Sequence, residues 1–119
     1  MKLVEVADVV VDNFSQGVTK RLGIDHDSLA KVNSKIITCS ISGFGDTEIN
    51  RPAYDNIVQG YSGAMSITGT DKNNPVKSGI PIADLGAGLY AIIGILSAIR
   101  SREIYDYGEH VDISMLDTQ

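Results

Sequence analysis

The sequence predicts an α/β domain built on a parallel sheet and carrying long apolar helices. Three observations predict it. Two runs rich in valine and isoleucine, Val6 to Val11 and Lys35 to Ile41, are separated by segments of helical composition. A long apolar run, Leu85 to Arg102, has no wet face until Arg100, and an alternating segment, His110 to Leu116, follows it. Strand, helices and strand in that order need a crossover connection, which points to parallel rather than hairpin pairing.

Taken in order, Val6 to Val11 reads as a buried strand that ends in the polar turn Asp12-Asn13. Gly17 to Leu22 and Asp27 to Val32 read as short helices, the second with Asp25 placed to cap it. After the second strand, Ser40-Ile41-Ser42-Gly43-Phe44-Gly45 holds two glycines that permit backbone geometry other residues resist. A polar loop runs on through Pro52. Tyr54 to Ile67 reads as one helix weakened by Gly60 and Gly63, and Thr68 to Pro75 as a loop rich in turn formers. Arg102 to Gly108 is a polar connection, and His110 to Leu116 a strand whose polar side bears His110, Asp112 and Ser114.

Composition narrows the classes. The chain has 119 residues, 43% apolar and 21% charged, enough for one domain of the usual size of about 100–150 residues and no second complete one. A net charge of −5, with ten basic residues scattered singly or in pairs, argues against a nucleic-acid partner. Cys39 is the single cysteine; it has no internal disulfide partner and reads as a buried, inert thiol, so a reducing, cytoplasmic setting is expected. The start has no secretory pattern. The charge-free run Leu85 to Ile99 is 15 residues, short of the roughly 20 that span a membrane, so a buried helix and no membrane partner are expected. His26 and His110 lack ligand spacing, and no metal is expected.

Three carboxylates or turns stand out. Asp84, in Gly79-Ile80-Pro81-Ile82-Ala83-Asp84-Leu85-Gly86-Ala87-Gly88, immediately precedes the long helix. It suits an N-cap, or a nucleophilic or acid/base carboxylate favoured by the helix dipole and followed by small residues that leave room for a bulky substrate. Asp12-Asn13-Phe14 ends a strand where open α/β sheets bind ligands; it equally suits an Asx turn. Asp55 opens the middle helix, either as a favourable first-turn charge or as a second carboxylate facing the site of Asp84. Walker and dinucleotide glycine patterns are absent, and no nucleophile elbow surrounds any serine of a paper triad of Ser40, His110 and Asp84.

The segments resemble, in order, those of the family III CoA-transferases, a group that includes formyl-CoA transferase, carnitine-related CoA-transferases and α-methylacyl-CoA racemase. The resemblance is carried by Ala7-Asp8-Val9-Val10-Val11-Asp12-Asn13-Phe14, Arg21-Leu22-Gly23, Ser40 to Gly45, Arg51-Pro52-Ala53-Tyr54-Asp55, Ser62-Gly63, Val76-Lys77-Ser78-Gly79, Pro81-Ile82-Ala83-Asp84, the Gly88 to Leu96 helix and Gly108 to Asp117. It covers almost the whole chain. It implies a partial Rossmann-like parallel-sheet domain, residues 1–119 forming one incomplete family domain whose nucleotide-binding start precedes Met1 and whose glycine-rich loop lies beyond Gln119. It implies that Asp84 attacks an acyl-CoA and passes through an acyl-aspartyl anhydride and an aspartyl-CoA thioester, with Asp55 an acidic position beside it. Asn13, Phe14 and Val18 match positions lining a coenzyme A site, and Arg21 a basic residue that meets the nucleotide phosphates. Racemases carry a histidine at the position of Tyr54, and a tyrosine hydroxyl, with an ordinary pKa of about 10, is poorly suited to moving an α-proton near neutral pH. The resemblance therefore implies a transferase acting on an acyl-CoA and a carboxylate acceptor, homodimeric at full length. The alternatives are a racemase-like enzyme or an inactive truncated fragment that binds CoA or partners weakly.

Overall fold

The computed structural model describes residues 1–49 and 51–119; Asn50, in the polar loop expected after the second strand, lies outside the described residues. The elements are β1 (Val9–Asp12), α1 (Val18–Leu22), α2 (His26–Ala30), β2 (Ile37–Ser42), α3 (Asp55–Tyr61), α4 (Ala64–Thr68), α5 (Ile82–Tyr105) and β3 (His110–Ser114). The three strands form a parallel sheet in the order β1-β2-β3, with Val9 opposite Ile37, Thr38 opposite His110 and Ser42 opposite Ser114. The predicted α/β class and parallel pairing hold.

Strand alternation gives the sheet two unlike faces. Ile37 and Cys39 are fully buried, and α5 packs against β2 and β3. The opposite face carries Thr38, Ser40, His110 and Asp112, which open onto a cavity of about 460 Å³. The polar side expected of β3 is thus the side away from α5.

Several boundaries differ from expectation. β1 begins three residues late: residues 2–6 form turns, Val6 is 80% exposed, and Asn33 ties down the carbonyls of Val4 and Ala7. Asp8, in the middle of the expected strand, instead meets Arg102 at 3.0 Å. The expected helix from Tyr54 to Ile67 is two helices, because Gly63 adopts φ 83°, a left-handed conformation that interrupts the hydrogen-bond ladder. Asp25 caps α2 as expected, accepting from Ser28 N and the Ser28 hydroxyl. That hydroxyl is the main reason its carboxyl lies below the usual range.

Helix α5 starts three residues earlier than the sequence indicates. Pro81 occupies the cap position without a side-chain cap, and Asp84 is the third helical residue rather than the N-cap. Proline has no N–H to leave unsatisfied, and its fixed φ suits a helix start. The helix runs 24 residues and ends at Asp106, in a left-handed conformation. By length and composition alone it is apolar enough to cross a membrane.

It is not the buried helix that its composition predicts. Its small residues Ala83, Ala87, Ala91 and Ala98 face inward, and a Cβ at Gly94 would lie 2.6 Å from Val111 Cγ1. Leu85, Leu89, Ile92, Ile93 and Leu96 are each more than half exposed. Small side chains bring the helix close to the sheet, so the bulky ones point outward. Beneath the N-terminal end of α5, Val58, Ala83, Ala87 and Met115 form the core, with Ile41, Ala53, Ile113 and Leu116 packed on it. That core joins α3, α5 and the segment after β3, which line the site together with the turns that follow β1 and β2.

Candidate active site

Parallel strands all end at one edge, and a crossover helix runs back so that its N-terminus meets that edge. Here the strands end at Asp12, Ser42 and Ser114, and α5 begins beside them. A cavity of about 270 Å³ opens at this junction, lined by Asn13, Phe14, Tyr54, Asp55, Asp84 and Met115 among others. Its remaining wall includes Ser42 to Gly45 and Arg51.

Local hydrogen bonds fix each wall. The Asn13 side chain donates to the Ile41 carbonyl at 2.6 Å, pinning the turn after β1 to β2. Asp12 accepts the Phe14 N–H at 3.1 Å, so the Asx turn exists, and its other oxygen accepts the Ser40 hydroxyl at 2.7 Å. The Phe14 side chain stays 47% exposed at the rim. After β2, Ser42 Oγ accepts the Gly45 N–H, and the carbonyls of Ser42 and Gly43 accept Met115 N and Leu116 N. Phe44 is buried edge-on against Tyr61, with ring centroids 5.3 Å apart.

Asp84 is exposed in the first turn of α5, where the helix dipole favours negative charge. Asp55 lines the same cavity, but both its oxygens are engaged: Oδ1 accepts Ala83 N at 2.8 Å and Oδ2 accepts Gln59 Nε2 at 2.6 Å. Gln59 Oε1 in turn accepts Ser78 N at 2.7 Å. Helix α3 therefore caps α5 from outside and holds the segment leading into it.

The fold thus brings Asn13, Phe14, Asp55 and Asp84 together. Val18 and Arg21 lie on α1 and do not line this cavity, Arg21 being exposed and Val18 half-buried. The larger cavity over the polar sheet face adjoins the first, sharing Phe14, Ser15, Gln16, Ser42 and Gly45. It contains Lys20, and also Asp25, Asp27, Asp46 and Asp112, an acidic surround unsuited to phosphates. In it Thr38 Oγ1 lies 3.0 Å from His26 Nδ1 and 2.8 Å from His110 Nδ1. With Ser40 bonded to Asp12, the paper triad with Asp84 does not assemble. Burial, and then the charges of Asp12 and Asp112, push the Cys39 thiol up.

The family model described as CoA-transferase family III matches residues 1–119. The chain belongs to CoA-transferase family III. Among its relatives within the family, it is 42% identical to the succinate–glutarate CoA-transferase of Agrobacterium fabrum, over 99% of this chain and 30% of that protein. It is also 42% identical to the acetyl-CoA:oxalate CoA-transferase of Acetobacter aceti, over 98% of this chain and 31% of that one. A CAIB/BAIF family protein from Brucella suis superposes with a TM-score of 0.92 at 40% identity, covering 98% of this chain and 32% of that structure. The chain spans about a third of the length of these family III proteins.

Two parts of this candidate site were invisible in the sequence. Gln59 sits mid-helix with nothing around it to mark an amide that bonds in two directions. The Asp55 link to Ala83 spans 28 residues, and only the Tyr54-Asp55 motif hinted at it.

Proposed function

We propose that this family III chain carries the nucleophile of an enzyme that moves CoA from an acyl-CoA to a carboxylic acid, and that Asp84 is that nucleophile. The observation supporting this most directly is that Asp84 shares one cavity, at the carboxyl edge of a parallel sheet, with the Asn13-Phe14 turn. A carboxylate oxygen of Asp84 attacks the thioester carbonyl, the C–S bond breaks, and CoA leaves as a thiolate. The product is a mixed anhydride between Asp84 and the acyl group. The thiolate then attacks the Asp84 carbonyl carbon, expelling the donor carboxylate and leaving an aspartyl-CoA thioester. An acceptor carboxylate attacks that thioester, and the released thiolate takes the acceptor from the second anhydride, restoring Asp84. Each exchange trades a carboxylate for a thiolate, so no proton is consumed, and one hard transfer becomes several easier ones.

In this reading Phe14 offers a flat apolar face, Asn13 an amide at the turn, and Val18 an apolar contact, while Arg21 meets the nucleotide phosphates. The acidic surround of the larger cavity favours a path for the phosphates across α1, where Arg21 is exposed. Asp55 acts by holding the start of α5, since both its oxygens are committed to protein donors. Tyr54, 71% exposed where a racemase carries histidine, favours transfer over racemisation. The bulky outward residues of α5 are buried by a second copy in a homodimer. An unpaired Cys39 fits work in the reducing cytoplasm.

The test uses the whole enzyme containing these residues, assayed with succinyl-CoA and glutarate and with acetyl-CoA and oxalate. Asp84→Asn should abolish CoA exchange, and hydroxylamine should trap an Asp84 hydroxamate during turnover of the unaltered enzyme. Exchange that survives in Asp84→Asn rejects the role of Asp84.

A further inference from the structure

We infer that Gln59 is a positioning residue for Asp84, acting through Asp55 and the backbone of residues 78–83; the inference rests on the reading of Asp84 as nucleophile. Gln59 is 1% exposed, and its amide bonds at both ends. Its Nε2 donates to Asp55 Oδ2 at 2.6 Å, and its Oε1 accepts Ser78 N at 2.7 Å. Asp55 passes the restraint on through Oδ1, which accepts Ala83 N at 2.8 Å. The residue after Ala83 is Asp84.

Three features make this a device for orientation rather than a satisfied core amide. First, Asp55 and Gln59 are i and i+4 on α3, so one helix face grips both ends of the short segment that enters α5. Second, that segment contains Gly79 and Pro81, and α5 has no side-chain cap of its own at Pro81, so its first turn depends on the donated carboxylate. Third, the amide orientation is determined: Ser78 N can only donate, which places the Gln59 oxygen there and leaves the NH₂ for the carboxylate of Asp55. A carboxylate that must meet a thioester carbon at bonding distance is sensitive to displacements of about 1 Å, which can cost about 100-fold in rate. The relay fixes that distance from the far side of the cavity wall.

The experiment compares Gln59→Leu and Gln59→Glu with the unaltered whole enzyme, using the donor and acceptor pair it exchanges. Gln59→Leu should lower kcat by about 10- to 100-fold with KM for the acyl-CoA changed less than about 3-fold. Gln59→Glu keeps the acceptor for Ser78 N but sets two carboxylates against each other. Its kcat should therefore recover toward acid pH, where one shared proton restores the donor to Asp55, and fall at neutral pH. Asp84, Tyr54 and Arg51 also line the cavity, and the unaltered enzyme carries all three, so the new acid limb appears as the ratio of the two profiles. A pH-independent ratio for Gln59→Glu, or a kcat at neutral pH within about 2-fold of the parent for either variant that melts normally, overturns the inference. If Gln59→Leu does not fold, the Gln59→Glu profile alone decides. Loss of exchange in Asp84→Asn together with unaffected Gln59 variants rejects this inference and leaves the nucleophile standing; retained exchange in Asp84→Asn, or no exchange by the unaltered enzyme with either pair, removes both.

Discussion

Asp55 accepts the backbone N–H of Ala83 at 2.8 Å, one residue before Asp84 on the same helical turn. Sequence patterning gives Asp84 itself the capping task, since an aspartate just before an apolar run is what an N-cap looks like. A carboxylate folded back onto its own helix would have its oxygens occupied. By drawing the cap from α3, the fold satisfies a donor of α5 and leaves Asp84 exposed at the positive end of the helix. The division of labour between the two carboxylates is what the linear sequence cannot express.

Replacing Asp55 should therefore loosen the start of α5 before anything else. Asp55→Ala leaves Ala83 N and Gln59 Nε2 without acceptors, a cost of about 1–3 kcal/mol. Asp55→Asn should do little better, because its NH₂ must face one of two donors, the Ala83 N–H or the Gln59 NH₂ whose orientation Ser78 N fixes. Hydrogen exchange followed by mass spectrometry should show faster deuterium uptake in residues 78–90 for both variants, with the β2 and β3 segments unchanged. Uniform protection across α5 in Asp55→Ala would show that the cap is dispensable.

The second prediction concerns how closely α5 approaches the sheet. Gly94→Ala gains about 1 kcal/mol of helix propensity, yet its methyl group would sit 2.6 Å from Val111 Cγ1. Valine is stiff at χ1 and cannot move away alone, so the overpacking cost of about 1–3 kcal/mol should win. The expected result is a lower Tm for Gly94→Ala, partly restored by adding Val111→Ala. A higher Tm for the single variant would mean that the helix shifts outward freely.

Much of the fold was legible because its signals are local. Two apolar runs separated by helices gave the parallel pair, Asp25 gave the start of α2, and the alternation from His110 gave β3. At the start of the chain, partners distant in sequence override the local pattern. Val6 to Asp8 resemble strand residues, but Asn33 and Arg102 hold that stretch in turns and an ion pair. Glycines at 60 and 63 look alike in sequence; only Gly63 takes a positive φ and breaks the helix. The exposed face of α5 is not legible in the sequence because apolar character says that a residue prefers burial, not which side of the helix meets the sheet. Close approach selected the alanine and glycine side.

Cys39 supplies a prediction about pH. Its thiol is raised, by burial first and by the neighbouring carboxylates second, so the folded protein holds the proton more tightly than the unfolded chain does. A group with a raised folded pKa contributes stability that is present below its unfolded value and declines as pH climbs past it. For a thiol that window opens at about pH 8.5. Iodoacetamide at pH 8 should leave the Cys39 peptide unmodified in the folded protein and label it in urea. Cys39→Ser should flatten the part of the stability loss that sets in above that pH.

The last prediction separates the two halves of the proposed CoA contact. Phe14 is at the rim of the Asp84 cavity, while Arg21 lies outside it on α1. If both touch one CoA molecule, they touch different ends of it. Phe14→Ala removes an apolar face, so its loss in affinity should be nearly independent of salt and the same for CoA and for dephospho-CoA. Arg21→Ala removes a charge-assisted contact of about 1.5–3 kcal/mol, so its penalty should shrink at high salt. It should also shrink for dephospho-CoA if the 3′-phosphate is the group it meets. Calorimetric titration of the whole enzyme with both ligands at two ionic strengths reads all four quantities. Equal, salt-independent losses would place Arg21 off the ligand path. Because α1 adjoins the acidic larger cavity, Lys20→Ala should then be tried, as Lys20 is the basic residue of that helix lining a cavity.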